Sequence, residues 1–348
     1  MFLYDKAVVK SDLNELISRD IPFEKLKGKT VLVTGATGML AYYFTLTLMH
    51  LNYEKNYGIK VLALVRSKNK AEAKFAGFLN DENFVILAQD VCTPIDYTGD
   101  IHYIFHAAGA AKASISVSPT GIIAANTQGT VNILELARKS NTLNVVYPST
   151  REVYGEVKDV DFVKETDMGT FHPLDARSCY PESKRMAETI LKSYMVQFGV
   201  PFTVLRIAHS YGPGMIIGND GRVMSDFITN AVSSEDIVMK SDGLAERAFC
   251  YVSDAVAAIF LVMLKGEKGE AYNLANETEP MAIRDVAKMI SDLFPERNIK
   301  VVYQENTDTS SYCNYARKGL NTEKLESLGW KPVVKLKDGL KSTVLSFD

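Results

Sequence analysis

The chain has 348 residues, a net charge of −3, 47% hydrophobic and 23% charged residues, the balance of an ordinary soluble globular protein. That length allows one large domain or two lobes with a substantial core, and the mild charge gives no reason to expect nucleic acid or an anionic membrane as partner. No apolar run reaches the roughly 18–20 residues of a membrane span, the N-terminus lacks the basic-then-apolar pattern of a signal peptide, and Cys92, Cys179, Cys250 and Cys313 are far apart, so a reducing compartment, the cytoplasm, is expected.

Residues 1–28 are mixed and weakly amphipathic, and read as a helical arm packed on the outside of the first domain. "KTVLVTGATGML" then gives a buried strand (30–34), a glycine turn and a helix start. "KVLALVRS" (60–67), "FVILAQDV" (84–91), "HYIFHAAG" (102–109) and "TLNVVYPSTREVYG" (142–155) read as four further strands. The longest helical stretch between them is 119–140. A long helix (180–198), a sixth strand "FTVLRIAHSYGPG" (202–214) and a less regular second half follow. Apolar strands alternating with amphipathic helices mean parallel strands joined by crossovers, and solid apolar runs mean that both sheet faces are covered. The charge run "SKNKAEAK" (67–74) reads as a solvated helix face.

The glycine turn carries the first functional signal. Gly35 permits a tight turn, Gly38 lets backbone approach a pyrophosphate, and the helix that follows offers unpaired N–H groups and a positive dipole end. The expectation is a Rossmann-type α/β fold, a doubly wound parallel sheet with a smaller mixed α/β substrate lobe at the C-terminal end. The arm would be 1–28, the dinucleotide domain 29–206 and the substrate lobe mainly 207–348, with part of 230–275 returning to the first domain. NAD sites favour an acidic residue after the second strand. Here Arg66 stands there with Lys68 and Lys70 near, a composition that suits an NADP 2′-phosphate, so NAD and NADP both stay open. Asp90, ending the third strand, is a candidate partner for the adenine edge.

"RSCYPESKR" (177–185) puts Tyr180 and Lys184 one helical turn apart on one face. The fifth strand ends at Ser149 and Thr150, whose hydroxyls can reach the same place. Hydride leaving a carbon that bears a hydroxyl requires the hydroxyl proton to leave too. A neighbouring ammonium would lower the tyrosine from its free pKa of about 10. Tyr180 is thus the candidate base, Lys184 tunes it and holds the ribose, and Thr150 orients the substrate oxygen.

"TGATG", "HAAG", "NTQGTVNILELA", "EVYG", "YPESK", "RIAHSYGPG" and the tail "LNTEKLESLGWKPVVKLKDGLKST" (320–343) resemble the extended short-chain dehydrogenase/reductases that modify nucleotide sugars. "RSCYPESKRMAET", "NDGRVMSDFI" (219–228) and "RAFCYVSD" (247–254) are similar to segments of UDP-glucuronate decarboxylases. The resemblance implies transient oxidation at sugar C4, a UDP-sugar substrate, a nicotinamide cofactor, a role in polysaccharide synthesis and a homodimer paired through the helices at 119–140 and 180–198. It adds Thr37, Met39, Leu40, Val91, Ala107, Ala108, Gly109 and Asn126 to the cofactor contacts. It makes Glu152 an acidic catalytic residue near the sugar, and places Arg222 near the nucleotide and Arg247 near the diphosphate or sugar.

Three positions depart from the family pattern: Ala41 stands for the third glycine, His209 for an asparagine, and Arg151 for the acid of 4,6-dehydratases. An arginine gives up no proton, which counts against dehydration, and Arg151 would instead grip a substrate carboxylate if it faced the site. A 4-epimerase or a 4,6-dehydratase remains an alternative reaction, and a non-catalytic NAD(P)-sensing protein is an alternative of another class. The histidines show no metal-ligand spacing, so no metal is expected, and His106 is expected to pack at a strand end near the cofactor.

Overall fold

The computed structural model describes residues 2–109, 118–218, 222–304 and 318–348. Cys313 and the Asn-Asp-Gly at 219–221 lie outside the described residues. Seven strands make the central sheet: β1 (Thr30–Thr34), β2 (Lys60–Val65), β3 (Phe84–Ala88), β4 (Tyr103–His106), β5 (Asn144–Thr150), β6 (Phe202–Ile207) and β7 (Glu270–Leu274). All neighbours are parallel, in the order β7-β6-β5-β4-β1-β2-β3.

The solid apolar strands have the expected cause. In β1, Val31 and Val33 face one core while Leu32 faces another, and all three are fully buried. Helices α1 (Ala7–Ser18) and α2 (Met39–Lys55) begin the chain, and α3 (Lys68–Lys74) follows β2. Helices α4 (Pro119–Lys139) and α5 (Cys179–Phe198) pack against each other on the Leu32 side. Of α6 (Val223–Ser233), α7 (Val252–Leu264) and α8 (Ile283–Leu293), only α7 returns to the sheet, where it packs on α2. Every residue of α7 is buried, because the sheet covers one face and α1 and α2 the other.

The N-terminal helix packs against α2 and α7. Val9, Leu13 and Leu16 of α1 are fully buried. Asp12 accepts from Tyr43 on α2 and from Tyr251 before α7. Arg19 reaches Asp254, fully buried on α7, at 2.8 Å, and Asp254 also accepts the N–H groups of Val333 and Val334. A helix as apolar as α7 needs cover on its outer face, and α1 supplies it.

The rest of residues 207–348 is a set of short strand pairs and helices. His209–Tyr211 pairs with Phe249–Tyr251, and Phe162–Val163 with Gly319–Leu320. The strand expected over 142–155 ends at Thr150, and Arg151–Tyr154 is a 3-10 turn. The sixth expected strand likewise divides at Ala208 into β6 and the short pair. The turn matters for the site, because alternation along a strand no longer decides where Arg151 points.

Candidate active site

Strand order reverses between β1 and β4, and the crevice at such a switch point is where α/β sheets bind ligands. A cleft of about 320 Å³ opens there. On one side lie Gly35, Gly38, Met39 and Leu40; on the other, Thr150, Tyr180 and Lys184.

The glycine turn is built for close approach. Gly35 has φ +62°, and a Cβ there would meet the backbone of Ala107 and Ala108 at 2.9 Å. Gly38 is the N-cap of α2 and carries no side chain to bond the first-turn amides. The N–H groups of Met39, Leu40 and Ala41 therefore have no intrahelical acceptor, and all three residues line the cleft. Gly109 leaves room for Asn126, whose Oδ1 lies 2.6 Å from where a Cβ would stand, with Lys184 Nζ 3.7 Å away. These features fit a dinucleotide diphosphate on the helix end with its ribose toward Lys184.

A directed chain of hydrogen bonds fixes the floor. The Thr130 hydroxyl donates to the Asn126 carbonyl, so it must accept from His106 Nε2–H at 3.3 Å. His106 Nδ1 then accepts from Thr34 Oγ1 at 2.9 Å, and Thr34 Oγ1 accepts from Ala108 N–H. One tautomer satisfies all of these bonds. Burial, helped by the Lys184 ammonium, pushes the His106 pKa down to about 3. From pH 6.5 down to 3 the unfolded chain takes up a proton that the folded one refuses. The stability this neutral ring contributes is complete above pH 6.5 and is lost as pH falls toward 3. Urea midpoints measured from pH 7 to 4 should fall, and His106→Gln should flatten that slope by up to about 1.4 kcal/mol per pH unit.

Tyr180 and Lys184 open α5, with Lys184 Nζ donating to the Pro148 carbonyl at 2.9 Å and standing 4.4 Å above the Tyr147 ring. The Thr150 hydroxyl lies beside Tyr180 and favours its ionised form. Asn126 Nδ2 donates to Ser183 Oγ, which donates to the Tyr180 carbonyl, tying α4 to the start of α5. The expected lowering of the tyrosine does not occur in the protein alone. Burial pushes Tyr180 up to about 12, Thr150 offsets part of that, and Glu152 adds to it. Burial also brings Lys184 down to about 7, against the pull of Glu188. Desolvation is the largest cause for each group, so the pair stands as a phenol beside a weakly held proton.

The other expected residues fall into two groups. Arg222, at the N-cap of α6, lines the cleft. Val91 and Asn126 are buried, Asn126 against Gly109, and Thr37 and Ala108 are half-buried. Arg66 and Asp90 are exposed at the ends of β2 and β3, and Asp90 accepts the Cys92 N–H. Arg151 turns toward the second lobe, where it donates to the Lys318 carbonyl at 3.2 Å. Glu152 sits 3.4 Å from Arg177, both well exposed, so this pair contributes little. His209 packs 5.8 Å from the Phe249 ring, and Arg247 donates to the Glu246 carbonyl.

Sequence reasoning missed Ile207 at the end of β6 and Ser210 in the short strand after it, which line the cleft, and Glu188, which accepts from Ser149 at 2.5 Å. Glu188 is visible at the same helical spacing, one turn beyond Lys184. The charge run at 67–74 is solvated only in part: Lys68 and Glu72 are exposed, while Lys74 folds under the glycine turn.

Comparisons with known proteins agree with this geometry. The model of the NAD dependent epimerase/dehydratase family matches residues 31–275. UDP-glucuronic acid decarboxylase 6 of Arabidopsis thaliana is 33% identical over 312 residues, 89% of this chain and 86% of that protein. UDP-glucuronic acid decarboxylase 1 of Danio rerio is 32% identical over 320 residues, 92% of this chain and 72% of that protein. Among solved structures, UDP-glucose 4-epimerase of Thermotoga maritima, with UDP-glucose, matches with a TM-score of 0.73 at 26% identity, covering 91% of this chain and 98% of that one.

Proposed function

The chain belongs to the NAD dependent epimerase/dehydratase family, and on that premise we propose that it decarboxylates a UDP-linked uronic acid in the cleft around Tyr180. The coarser statement is firm: it is an NAD-dependent enzyme of the nucleotide-sugar class. The observation that carries the finer one is the meeting of Tyr180, Lys184 and Thr150 with the glycine turn in one cleft, in a chain a third identical to decarboxylases over nearly its whole length.

When bound, NAD supplies a hydride acceptor next to sugar C4 and a hydride donor afterwards. The Met39, Leu40 and Ala41 amides would hold its diphosphate, and Lys184 would face its ribose. Thr150 orients the C4 oxygen. With the positive nicotinamide of bound NAD and the Lys184 ammonium both favouring its phenolate, Tyr180 would take up the proton that leaves that oxygen and give it back at the end. A ketone at C4 makes a C5 carboxylate a β-keto acid, which loses CO2 readily. Arg222, on the cleft wall, is the described cation placed to meet the nucleotide. The turn of Arg151 toward Lys318 leaves no protonating acid at its position, which favours decarboxylation over dehydration.

The same reading extends to the setting. The paired helices α4 and α5 leave Ile123, Met186, Val196 and Phe198 exposed, an apolar face suited to a second copy of the chain. Among the described residues no helix is long and apolar enough to cross a membrane, and Cys92, Cys179 and Cys250 are free thiols, which supports a cytoplasmic place.

Mass spectrometry of purified protein incubated with UDP-glucuronate and NAD tests the reaction. A product lighter by one CO2 is expected. An isomer of unchanged mass would move the assignment to 4-epimerisation, and loss of water would move it to dehydration.

A further inference from the structure

The Thr37–Gly38 peptide is held at both ends. Its N–H donates to the Gly35 carbonyl at 2.9 Å. Its C=O accepts from Lys74 Nζ, also at 2.9 Å. A peptide plane has one rotational freedom that matters here, and two bonds on opposite edges remove it. The next three amides along the chain are the unpaired ones that line the cleft.

Lys74 is itself clamped. Its ammonium stands 4.3 Å from the centre of the Tyr42 ring, and the Tyr42 hydroxyl donates to the Lys74 carbonyl at 2.8 Å. Tyr42 lies one turn into α2, beyond Gly38. The last residue of α3, the glycine turn and the first turn of α2 therefore close into a ring of contacts. Burial brings Lys74 down to about 8, so it still carries most of its charge at pH 7. Among the described residues no ion pair accounts for this half-buried cation. A cation behind a turn whose other side receives two phosphates has a reason to be there.

We propose that Lys74 is a positioning residue for the cofactor diphosphate, acting by locking the Thr37–Gly38 peptide and by placing a positive charge behind the glycine turn. This rests on the NAD-dependent reading above. Lys74 touches the turn, and the turn touches the ligand.

The test is calorimetric titration of NAD into the full-length protein stripped of nucleotide, for the wild type and the variants Lys74→Met, Lys74→Gln and Lys74→Arg, with melting curves of each free protein. Lys74→Met should weaken NAD binding about tenfold, the scale of one charge-assisted hydrogen bond. Lys74→Gln, which keeps a donor without the charge, should fall between, and Lys74→Arg should bind within about threefold of wild type. Should Lys74→Met melt early, Lys74→Gln decides. Wild-type affinity in a folded Met or Gln variant overturns the proposal. Failure of the wild type itself to bind NAD would instead sink the functional reading on which it stands.

Discussion

Replacing Tyr180 by phenylalanine should lower turnover on the nucleotide sugar by about 10²–10⁴-fold, the usual contribution of a positioned proton-transfer group. Binding of NAD should persist, because the phenol is not part of the glycine turn. Melting should change little: the ring stays, and only a hydroxyl beside Thr150 on the cleft wall is lost. Lys184→Met should part activity from stability in the other direction. Lys184 is buried on the cleft wall, with its pKa held at about 7. Below pH 7 the folded chain bears the full cost of that buried charge, and the cost is relieved as pH rises from 7 toward the unfolded value near 10.5. The Met variant should therefore be at least as stable as wild type at pH 7 while losing most of its turnover. Steady-state rates and urea melts on the same preparations check both. A Tyr180→Phe enzyme with near-normal turnover would remove the phenol from the mechanism.

Glu188→Ala should be the most destabilising single change in the site, costing about 3–5 kcal/mol. Arg206 is 6% exposed and Glu188 15%, and they meet at 2.7 Å with a second bond at 3.2 Å. Arg206 also donates to the Tyr154 hydroxyl and the Glu165 carbonyl, so it cannot swing out to water when its partner is cut away. The alanine variant leaves that guanidinium buried and unpaired, which is worse than having no pair at all. Glu188→Leu combined with Arg206→Met should recover much of the loss, and urea unfolding of the two singles and the double gives the coupling energy. Activity should not recover with it. Ser149 loses its acceptor, Thr150 next to it loses its anchor, and Lys184 loses the one carboxylate that favours its charged form.

These two predictions differ in how far the sequence alone could reach them. Tyr180 and Lys184 are local: four residues apart on one helix, they face together wherever that helix lies. The turn around Gly35 and Gly38 is local too, and so are the strands that read as unbroken apolar runs. Glu188 and Arg206 come from different elements, and nothing within either segment announces that they meet. Strand β7, "EAYNL", escaped notice because it is short and follows the charged "KGEKGE". Helix α7 escaped because a helix buried all round has no polar stripe for periodicity to find. The same lack of local signal hid Lys74, one lysine in a charge run, distinguished only by a carbonyl from another element. The direction of Arg151 stayed open in the sequence for a geometric reason: alternation along a strand was the available guide, and the chain turns there instead.

The position of β7 at the sheet's end also has a bearing on how the protein is made. β7 lies at residues 270–274, beside β6 at 202–207. Until the ribosome has delivered those later residues, a nascent chain that already contains β1 to β6 presents β6 with a row of unpaired amides and carbonyls on its outer side. In the same interval α7, apolar on every face, has just emerged, and its contacts with β7 are still to form. The chain is then at its most adhesive, with an open strand edge and a greasy helix exposed together. Overproduction that outruns closure by β7 favours association between nascent chains, and slower synthesis at lower temperature favours the soluble fold.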